Sequence, residues 1–151
     1  MKIDLFTEGN ISLPYEGISL TKIKSFAKKI SLYLKLKNIT LTIVICDNSY
    51  IRKINKDYRK KNKPTDIISF AYRENPFPDI KSGMEALGDL YISLEKASEN
   101  AKAYGATLPE EVRRLIAHGI LHLIGYDHER SREDKKIMQD KEEKILHLIH
   151  N

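Results

Sequence analysis

The sequence predicts an α/β (α+β) fold in which a small four-stranded mixed sheet packs with helices, one of them central and buried. Three observations support this prediction. Runs rich in β-branched residues alternate with segments whose apolar residues recur every three or four positions, as in strands and helices respectively. One segment near the C-terminus is apolar on nearly every side, as a buried helix is. Helices join most of the strands, which favours parallel pairing, whereas one pair is joined by a loop and can be antiparallel.

The N-terminal half is predicted to form a strand, a helix, a strand and a second helix. Residues 2–7 alternate apolar and polar side chains, and apolar residues recur at helical spacing over about 19–36. Residues 39–46 are rich in β-branched side chains, which favour a buried strand. Asp47 is a good N-cap, so the second helix is expected over about 48–60. The apolar side of that helix comprises Ile51, Ile54 and Tyr58.

The next segment is predicted to form two strands joined by a loop. Pro64 prevents the preceding helix from continuing, so a strand is expected over 65–72. Residues 73–86 contain Asn-Pro-Phe-Pro and Ser-Gly, which are typical of a loop. The length of this loop suits either a flap over a site or a disordered excursion. A fourth strand is expected over 87–94.

Three helices are predicted to complete the fold. The first spans 95 to about 104 and ends at Gly105. The second begins at Pro109 and is apolar on nearly every side from Leu115 onward, so we expect it to be the buried central helix. Ser131 can cap the last helix. The apolar residues of the last helix that are expected to face inward are Ile137, Met138, Ile145, Leu148 and Ile149.

The composition indicates a single domain over residues 1–151, which is long enough for a hydrophobic core. No apolar run reaches the roughly 18 residues that a membrane span needs. Asp4 lies where a secretory signal would be apolar. The single cysteine, Cys46, cannot form an internal disulfide. These features favour a cytoplasmic protein with no membrane partner.

The basic residues are clustered. The chain has 26 basic and 21 acidic residues, for a net charge of +5. Between positions 52 and 63 there are seven basic residues and one acid, which is typical of a phosphate-binding surface. A lysine-rich surface loop without a partner is the alternative. The basic residues are Arg52, Lys53, Lys56, Arg59, Lys60, Lys61 and Lys63.

Three histidines near the C-terminus are the strongest indication of chemistry. His118 and His122 are four residues apart, so on a helix they lie one turn apart on the same face. Gly125 allows the left-handed turn that ends a helix, after which His128 can return toward the other two imidazoles. A hydrogen-bonded core pair is the alternative for the first two histidines alone. All three together predict an open zinc site of the catalytic type, in which water occupies the last position.

The histidine spacing, His-x3-His-x2-Gly-x2-His, is also that of a group of zinc proteases. In those enzymes a glutamate follows the first histidine and serves as the general base. Here that position is Gly119, which cannot accept a proton. The pattern therefore predicts a metal-dependent hydrolase whose reaction differs from that of the proteases.

Three blocks of the sequence resemble the YbeY family of bacterial endoribonucleases. The most specific block is residues 118–128, His-Gly-Ile-Leu-His-Leu-Ile-Gly-Tyr-Asp-His. The second block comprises Asn55, Tyr58, Arg59 and residues 63–70, Lys-Pro-Thr-Asp-Ile-Ile-Ser-Phe. The third block is residues 87–93, Leu-Gly-Asp-Leu-Tyr-Ile-Ser. The blocks occur in the order that the family has and cover most of residues 50–130.

The resemblance implies a metal-dependent endoribonuclease that hydrolyses phosphodiester bonds in single-stranded RNA. It further implies maturation of the 3′ end of 16S ribosomal RNA, a part in ribosome quality control, and ribosomal RNA and the small ribosomal subunit as partners. The expected cofactor is one Zn²⁺ per chain, held by His118, His122 and His128. The layered architecture with a small mixed sheet is also that of the family.

The residues expected to act on the substrate are Arg59 and His118. A guanidinium fork grips two phosphate oxygens and stabilises charge that develops in the transition state, and the resemblance carries a functional role onto Arg59. A salt bridge to Asp57 or Asp66 is the alternative for Arg59. Asp127 is predicted to orient an imidazole N–H, with a general base as the alternative. The predicted RNA-binding residues are Arg52, Lys56, Arg59, Lys60, Lys61 and Lys63.

Two other functions remain open from the sequence. One is a metalloprotease-like or other metal-dependent hydrolase, which Gly119 disfavours. The other is a non-catalytic, RNA-binding ribosome assembly factor in which the metal is structural. Loss of cleavage without loss of folding on replacement of His122 would distinguish an enzyme from such a factor.

Overall fold

A mixed sheet with helices on both faces forms the framework of the protein in the computed structural model, which describes residues 1–73 and 83–149. The strands are β1 (Lys2–Thr7), β2 (Ile39–Cys46), β3 (Ile67–Ala71) and β4 (Glu85–Ser93). The helices in this part of the chain are α1 (Leu20–Tyr33), α2 (Asn48–Arg59), α3 (Leu94–Tyr104), α4 (Leu108–Leu123) and α5 (Arg132–Leu148). The α+β class and the order of elements are those that the sequence predicts.

The strands lie in the order β1-β2-β4-β3. β1 pairs with β2 and β2 with β4 in parallel, whereas β3 and β4 are antiparallel. The parallel pairs are connected through helices and the antiparallel pair is not, because a chain needs a long crossover to return parallel to itself. The prediction of a mixed sheet is therefore confirmed, and β3 is an edge strand of this sheet.

The main core lies between one face of the sheet and helices α1, α3, α4 and α5. A smaller cluster, in which Ile51 of α2 packs on Cys46 and Ile68, lies on the opposite face. Helix α4 is the central buried helix that the sequence predicts. It begins with a capping box in which Thr107 and Glu110 satisfy each other's free amides. The buried apolar residues of α4 include Val112, Leu115, Ile116, Ala117, Ile120, Leu121 and Leu123.

Several predicted boundaries are wrong by one to three residues. The third strand spans Ile67–Ala71 rather than 65–72. Helix α1 ends at Tyr33 rather than at about 36, because Lys35 adopts a left-handed conformation with a φ of 58°. Strand β4 begins at Glu85 and ends at Ser93, whose side chain accepts the amide of Lys96 and caps α3. Leu94 is therefore the first residue of α3 rather than the last residue of β4. The loop predicted over 73–86 ends before Glu85, where β4 begins. Residues 74–82 of that loop lie outside the described residues.

Two of the five residues expected to face inward on the last helix are instead exposed. Met138, Ile145 and Ile149 are buried, as predicted, whereas Ile137 is 49% and Leu148 is 61% exposed. The buried residues follow one narrow stripe along α5, and the two exposed residues lie on its flank. Tyr58, predicted on the apolar side of α2, is 67% exposed because the end of this helix reaches the edge strand β3, where its ring packs on Phe70.

None of the helices in the part of the chain that the structure describes has both the length and the apolar character required to cross a membrane.

Gly88 allows the sheet, β3 and the end of α4 to approach one another closely. Its φ is 155°, which a residue with a side chain rarely adopts. A Cβ atom at this position would overlap the carbonyl oxygen of Phe70 and would lie 2.7 Å from Cδ2 of Leu123, the last residue of α4. Gly88 therefore helps to set how far α4 lies from the sheet.

We expect Gly88→Ala to lower the free energy of unfolding by about 2–4 kcal/mol, because the new methyl group adds a steric clash to an unfavourable backbone conformation. The measurement is urea denaturation followed by circular dichroism. Gly105→Ala is the matched control, since Gly105 has a φ of 70° and its added Cβ would have no neighbour within 4 Å. The control should lose only about 1–2 kcal/mol. Equal losses in the two variants would contradict the role assigned to the contact with Phe70.

Candidate metal centre

Helix α4 and the turn that follows it bring the three histidines together. His118 and His122 lie one turn apart near the end of α4. The helix closes with hydrogen bonds from the Gly125 amide to the His122 carbonyl and from the Tyr126 amide to the Leu121 carbonyl. Gly125 adopts a φ of 109°, as its predicted role in the turn requires. The chain then reverses, so that His128 returns to the other two imidazoles.

The three imidazoles form a nearly equilateral triangle. Their ring centroids are 5.0 Å apart for His118 and His122, 5.1 Å for His118 and His128, and 5.0 Å for His122 and His128. One nitrogen from each ring lies within 4.8 Å of the other two. Nε2 of His122 and Nδ1 of His128 are 3.0 Å apart.

This donor set fits a divalent metal ion. Two nitrogens that bind one tetrahedral Zn²⁺ at about 2.0–2.1 Å are separated by roughly 3.3 Å, close to the 3.0 Å between His122 and His128. Imidazole nitrogens suit zinc, copper, nickel and iron, so the ligands alone do not select one metal. The three residues are thus arranged as ligands rather than as separate core histidines.

His122 is held in the form that binds metal. Its pKa is lowered, first by burial of the ring and then by the neighbouring His118 and His128. Because the ordinary pKa of histidine is about 6.5, the imidazole of His122 is neutral at pH 7. Only a neutral imidazole has a lone pair to offer a metal ion.

A cavity of about 360 Å³ opens beside the three histidines. Arg59, at the end of α2, lines this cavity together with residues of β3 and of the segment that precedes it. The remaining lining residues are Thr65, Asp66, Ile67, Ser69 and Glu129. The arrangement places a guanidinium group, hydroxyl groups and three imidazoles around one polar space.

Arg59 forms no ion pair or hydrogen bond within the described residues. The alternative in which it is paired with Asp57 or Asp66 is therefore not present in the structure. Asp66 is instead engaged by the Ile67 amide at one oxygen and by Asn100 at the other. Arg59 is more than one-third exposed and remains available to an anion in the cavity.

The other predicted RNA-binding residues are all exposed but do not line the histidine cavity. Arg52 donates a hydrogen bond to the side chain of Asn62. Lys60 ends α2 in a left-handed conformation with a φ of 59°. The buried Asn55 holds the following turn, since its side chain donates to the Lys63 carbonyl. The remaining basic residues, Lys56, Lys61 and Lys63, extend from α2 and this turn into solvent.

Asp127 does not contact an imidazole. One of its oxygens accepts the backbone amide of Glu129 at 2.8 Å, and the other lies 3.7 Å from Nε of Arg130. Its carboxylate thus stabilises the turn that carries His128, which is a structural contribution to the site. These contacts do not include an imidazole, and both roles predicted for Asp127 stay predictions.

The carboxylate that does contact a ligand is Glu142, which the sequence does not reveal. Its Oε2 accepts a hydrogen bond from Nδ1 of His118 at 2.9 Å. Glu142 lies on α5, in a segment whose alternating charges are typical of a solvated helix face. Local spacing in the sequence cannot predict a contact between two residues that are 24 positions apart and lie on different helices. The spacing does place Arg114 four residues before His118 on α4. Arg114 can therefore be predicted from the sequence to lie one turn from His118 on the same face of the helix.

Gly119 faces the sheet rather than the cavity. A Cβ atom there would lie 2.7 Å from Cδ2 of Leu90 and 2.8 Å from Cδ1 of Ile67. Leu90 is fully buried, whereas Ile67 is partly buried and also lines the cavity. The position that holds the catalytic glutamate in the zinc proteases is therefore filled by tight packing, and a carboxylate there would have to enter the core.

Comparison with known proteins agrees with this architecture. A family model described as endoribonuclease YbeY matches residues 13–150. A protein named endoribonuclease YbeY from Sulfurihydrogenibium sp. is 48% identical over 124 residues, covering 82% of this chain and 79% of that protein. The protein of the same name from Aquifex aeolicus is 40% identical over 136 residues, covering 90% of this chain and 87% of its own length.

The fold also has a solved counterpart. The solution structure of a protein from Thermotoga maritima superposes with a TM-score of 0.63 at 24% identity, covering 95% of this chain and 86% of that protein. At this identity the likeness concerns the fold. Because the family model spans most of the sequence and the named relatives share at least 40% identity over most of it, the chain belongs to the endoribonuclease YbeY family.

Proposed function

We propose that this protein is a single catalytic domain that works in the cytoplasm as a zinc-dependent endoribonuclease on single-stranded RNA. The observation that carries the proposal is the convergence of three imidazoles on a cavity that Arg59 also lines, where Arg59 has no ion-pair partner among the described residues. A metal site alone suits many hydrolases. A metal site that shares its cavity with an available guanidinium group suits a phosphodiester substrate.

The histidines would hold the metal, and neutral His122 is ready to bind it near pH 7. The chemistry that Zn²⁺ supplies in such a site is Lewis acidity toward a phosphoryl oxygen and activation of water near neutral pH. Arg59 binds the phosphate by its guanidinium fork and balances the charge that develops on the phosphoryl oxygens. A general base at position 119 is not required for this reaction.

The surface beside the cavity supports an RNA substrate. Exposed basic residues on α2 and the turn after it suit contacts with the phosphate backbone. Tyr58 lies next to Arg59, is 67% exposed, and is held edge-to-face against Phe70 with ring centroids 5.4 Å apart. A fixed, exposed aromatic ring provides a surface on which an unpaired base can stack. Unpaired bases are accessible in single-stranded RNA.

The cellular substrate proposed is the 3′ end of 16S ribosomal RNA, with the small ribosomal subunit as partner and ribosome quality control as the wider role. This part of the proposal rests on membership of the family. The residues around the cavity are compatible with any single-stranded RNA that presents a phosphate between Arg59 and the histidines.

Gly119 argues against a protease. A Cβ atom at this position would lie within 3.0 Å of side-chain ends of Leu90 and Ile67, so these would have to shift before the carboxylate that peptide hydrolysis in the related motif uses could be placed there. A ribosome assembly factor with a structural metal is the other alternative. The site has an adjoining cavity and, among the residues that the structure describes, three protein ligands, which is typical of catalytic rather than structural zinc.

We expect His122→Ala to reduce cleavage of a labelled single-stranded RNA at least 100-fold while the protein remains folded, because one metal ligand is lost. Cleavage should be measured beside the wild type, with and without chelator, and folding by circular dichroism. His147→Ala is the matched control, since His147 is an exposed histidine on α5 away from the cavity. The control should cleave at the wild-type rate.

Equal cleavage by the wild type and His122→Ala would identify a contaminating ribonuclease and would contradict the proposed activity. Unfolding of His122→Ala, or of the wild type on treatment with chelator, would favour the structural-metal alternative. Cleavage that is lost in the variant and on treatment with chelator would support the proposal.

We expect Arg59→Lys to lower the cleavage rate by about 10²–10³-fold, since lysine keeps the charge but loses the fork that binds two phosphate oxygens. Thermal stability should not change, because Arg59 is exposed and makes no ion pair among the described residues. Arg132→Lys, at an exposed arginine on α5, is the control. Single-turnover rates of the three proteins test the prediction, and an Arg59→Lys rate equal to that of the control would rule out phosphate binding through the fork.

A further inference from the structure

We propose that Glu142 is a positioning residue of the metal centre, which holds His118 in the tautomer and ring orientation that a metal ion requires. The inference rests on the metal site of the proposed function and adds a residue of α5 to it. It is carried by a chain of partly buried polar contacts that runs from His118 through Glu142 to Arg114 and Glu111.

The contact between Glu142 and His118 determines the tautomer of the imidazole. Nδ1 of His118 lies 2.9 Å from Oε2 of Glu142, and the two side chains are 22% and 12% exposed respectively. A carboxylate only accepts hydrogen bonds, so Nδ1 of His118 carries the proton and donates it. The lone pair of the neutral ring is then on Nε2, which leaves this atom to face a metal ion.

Arg114 in turn holds Glu142. Its Nη1 lies 3.5 Å from Oε1 of Glu142, while its Nε and Nη2 each donate a 2.8 Å hydrogen bond to the buried Glu111. Both oxygens of Glu142 are therefore engaged, one by the guanidinium group and one by His118. This pairing restricts rotation of the carboxylate, and so fixes the direction from which it contacts the imidazole.

The charges of this cluster favour a cation at the histidines. Arg114 contributes one positive charge, and Glu111 and Glu142 contribute one negative charge each. The excess negative charge lies on the carboxylate pair, and Glu142 is the member in contact with a metal ligand. Buried carboxylates persist when they are paired and hydrogen-bonded, as both are here.

The same cluster of polar contacts extends to Asp66, another residue that lines the cavity. Asn100 of α3 donates to Oδ2 of Asp66 at 3.1 Å and lies 3.5 Å from Oε2 of Glu111. Asp66 lines the cavity beside Arg59. His118 and Asp66 are thus connected through polar side chains of α3, α4 and α5. Glu142 is the member of this chain that contacts His118.

Glu142 could instead serve only to stabilise the packing of α5 on α4. Metal affinity distinguishes the two roles, because a residue that only stabilises helix packing would affect thermal stability without affecting the binding of metal by the folded protein. Glu142→Gln is the decisive variant, since it preserves volume. A glutamine has one acceptor oxygen and an NH₂ group, so it cannot accept at both of the positions where the two oxygens of Glu142 accept from His118 and Arg114.

The experiment is a Zn²⁺ competition titration against a chromophoric chelator, performed on the folded full-length proteins well below their melting temperatures. We expect Glu142→Gln and Glu142→Ala to bind Zn²⁺ about 10–100-fold more weakly than the wild type. The d–d absorption of the Co²⁺-loaded variants should also change, because the orientation of one ligand is no longer fixed. Glu143→Gln, at the exposed neighbouring glutamate, should bind as the wild type does.

Wild-type affinity and an unchanged Co²⁺ spectrum in Glu142→Gln would overturn the inference while leaving the ribonuclease proposal intact. Failure of the wild type itself to bind Zn²⁺ or Co²⁺ would overturn the metal centre and with it this inference. If Glu142→Ala does not fold, the isosteric Glu142→Gln alone decides between the two roles.

Discussion

The close packing of α4 on the sheet is the constraint on which the rest of the structure depends. At Gly119 the helix backbone lies so close to Leu90 and Ile67 that a Cβ atom would displace the ends of their side chains. One face of α4 is thereby committed to the core, and the face that carries His118 and His122 is turned toward the cavity. The turn at Gly125 then brings His128 to the other two imidazoles. The metal centre is a direct consequence of how this helix meets the sheet.

A second layer of polar contacts makes this geometry rigid. The imidazole of His118 is held by a carboxylate that is itself held by Arg114 and, through it, by Glu111. Buried polar groups are expensive when unpaired, so such a chain is stable only when its members keep their positions together. The site therefore depends on α5 as well as on α4, although α5 contributes no ligand.

The packing at Gly119 also explains how a ligand pattern known from proteases suits a different reaction. In both cases three imidazoles are positioned to bind a metal ion. Here, however, the residue after the first histidine packs against the core. The cavity beside the histidines is instead lined by Arg59, which has no ion-pair partner among the described residues and is available for an anion. A phosphodiester, with its negative charge and equatorial oxygens, fits that combination better than a neutral peptide does.

The sequence by itself determined the features that depend on residues close together in the chain. The order of strands and helices, the parallel and antiparallel pairings, the pairing of His118 with His122 and the turn at Gly125 all follow from local periodicity and backbone preference. Only the tertiary structure decided which groups meet across elements. It selected Arg59 from a cluster of similar basic residues, left Ile137 and Leu148 exposed, and paired His118 with Glu142. Local spacing carries no information on such contacts, because they depend on how separate helices and strands pack around a shared core.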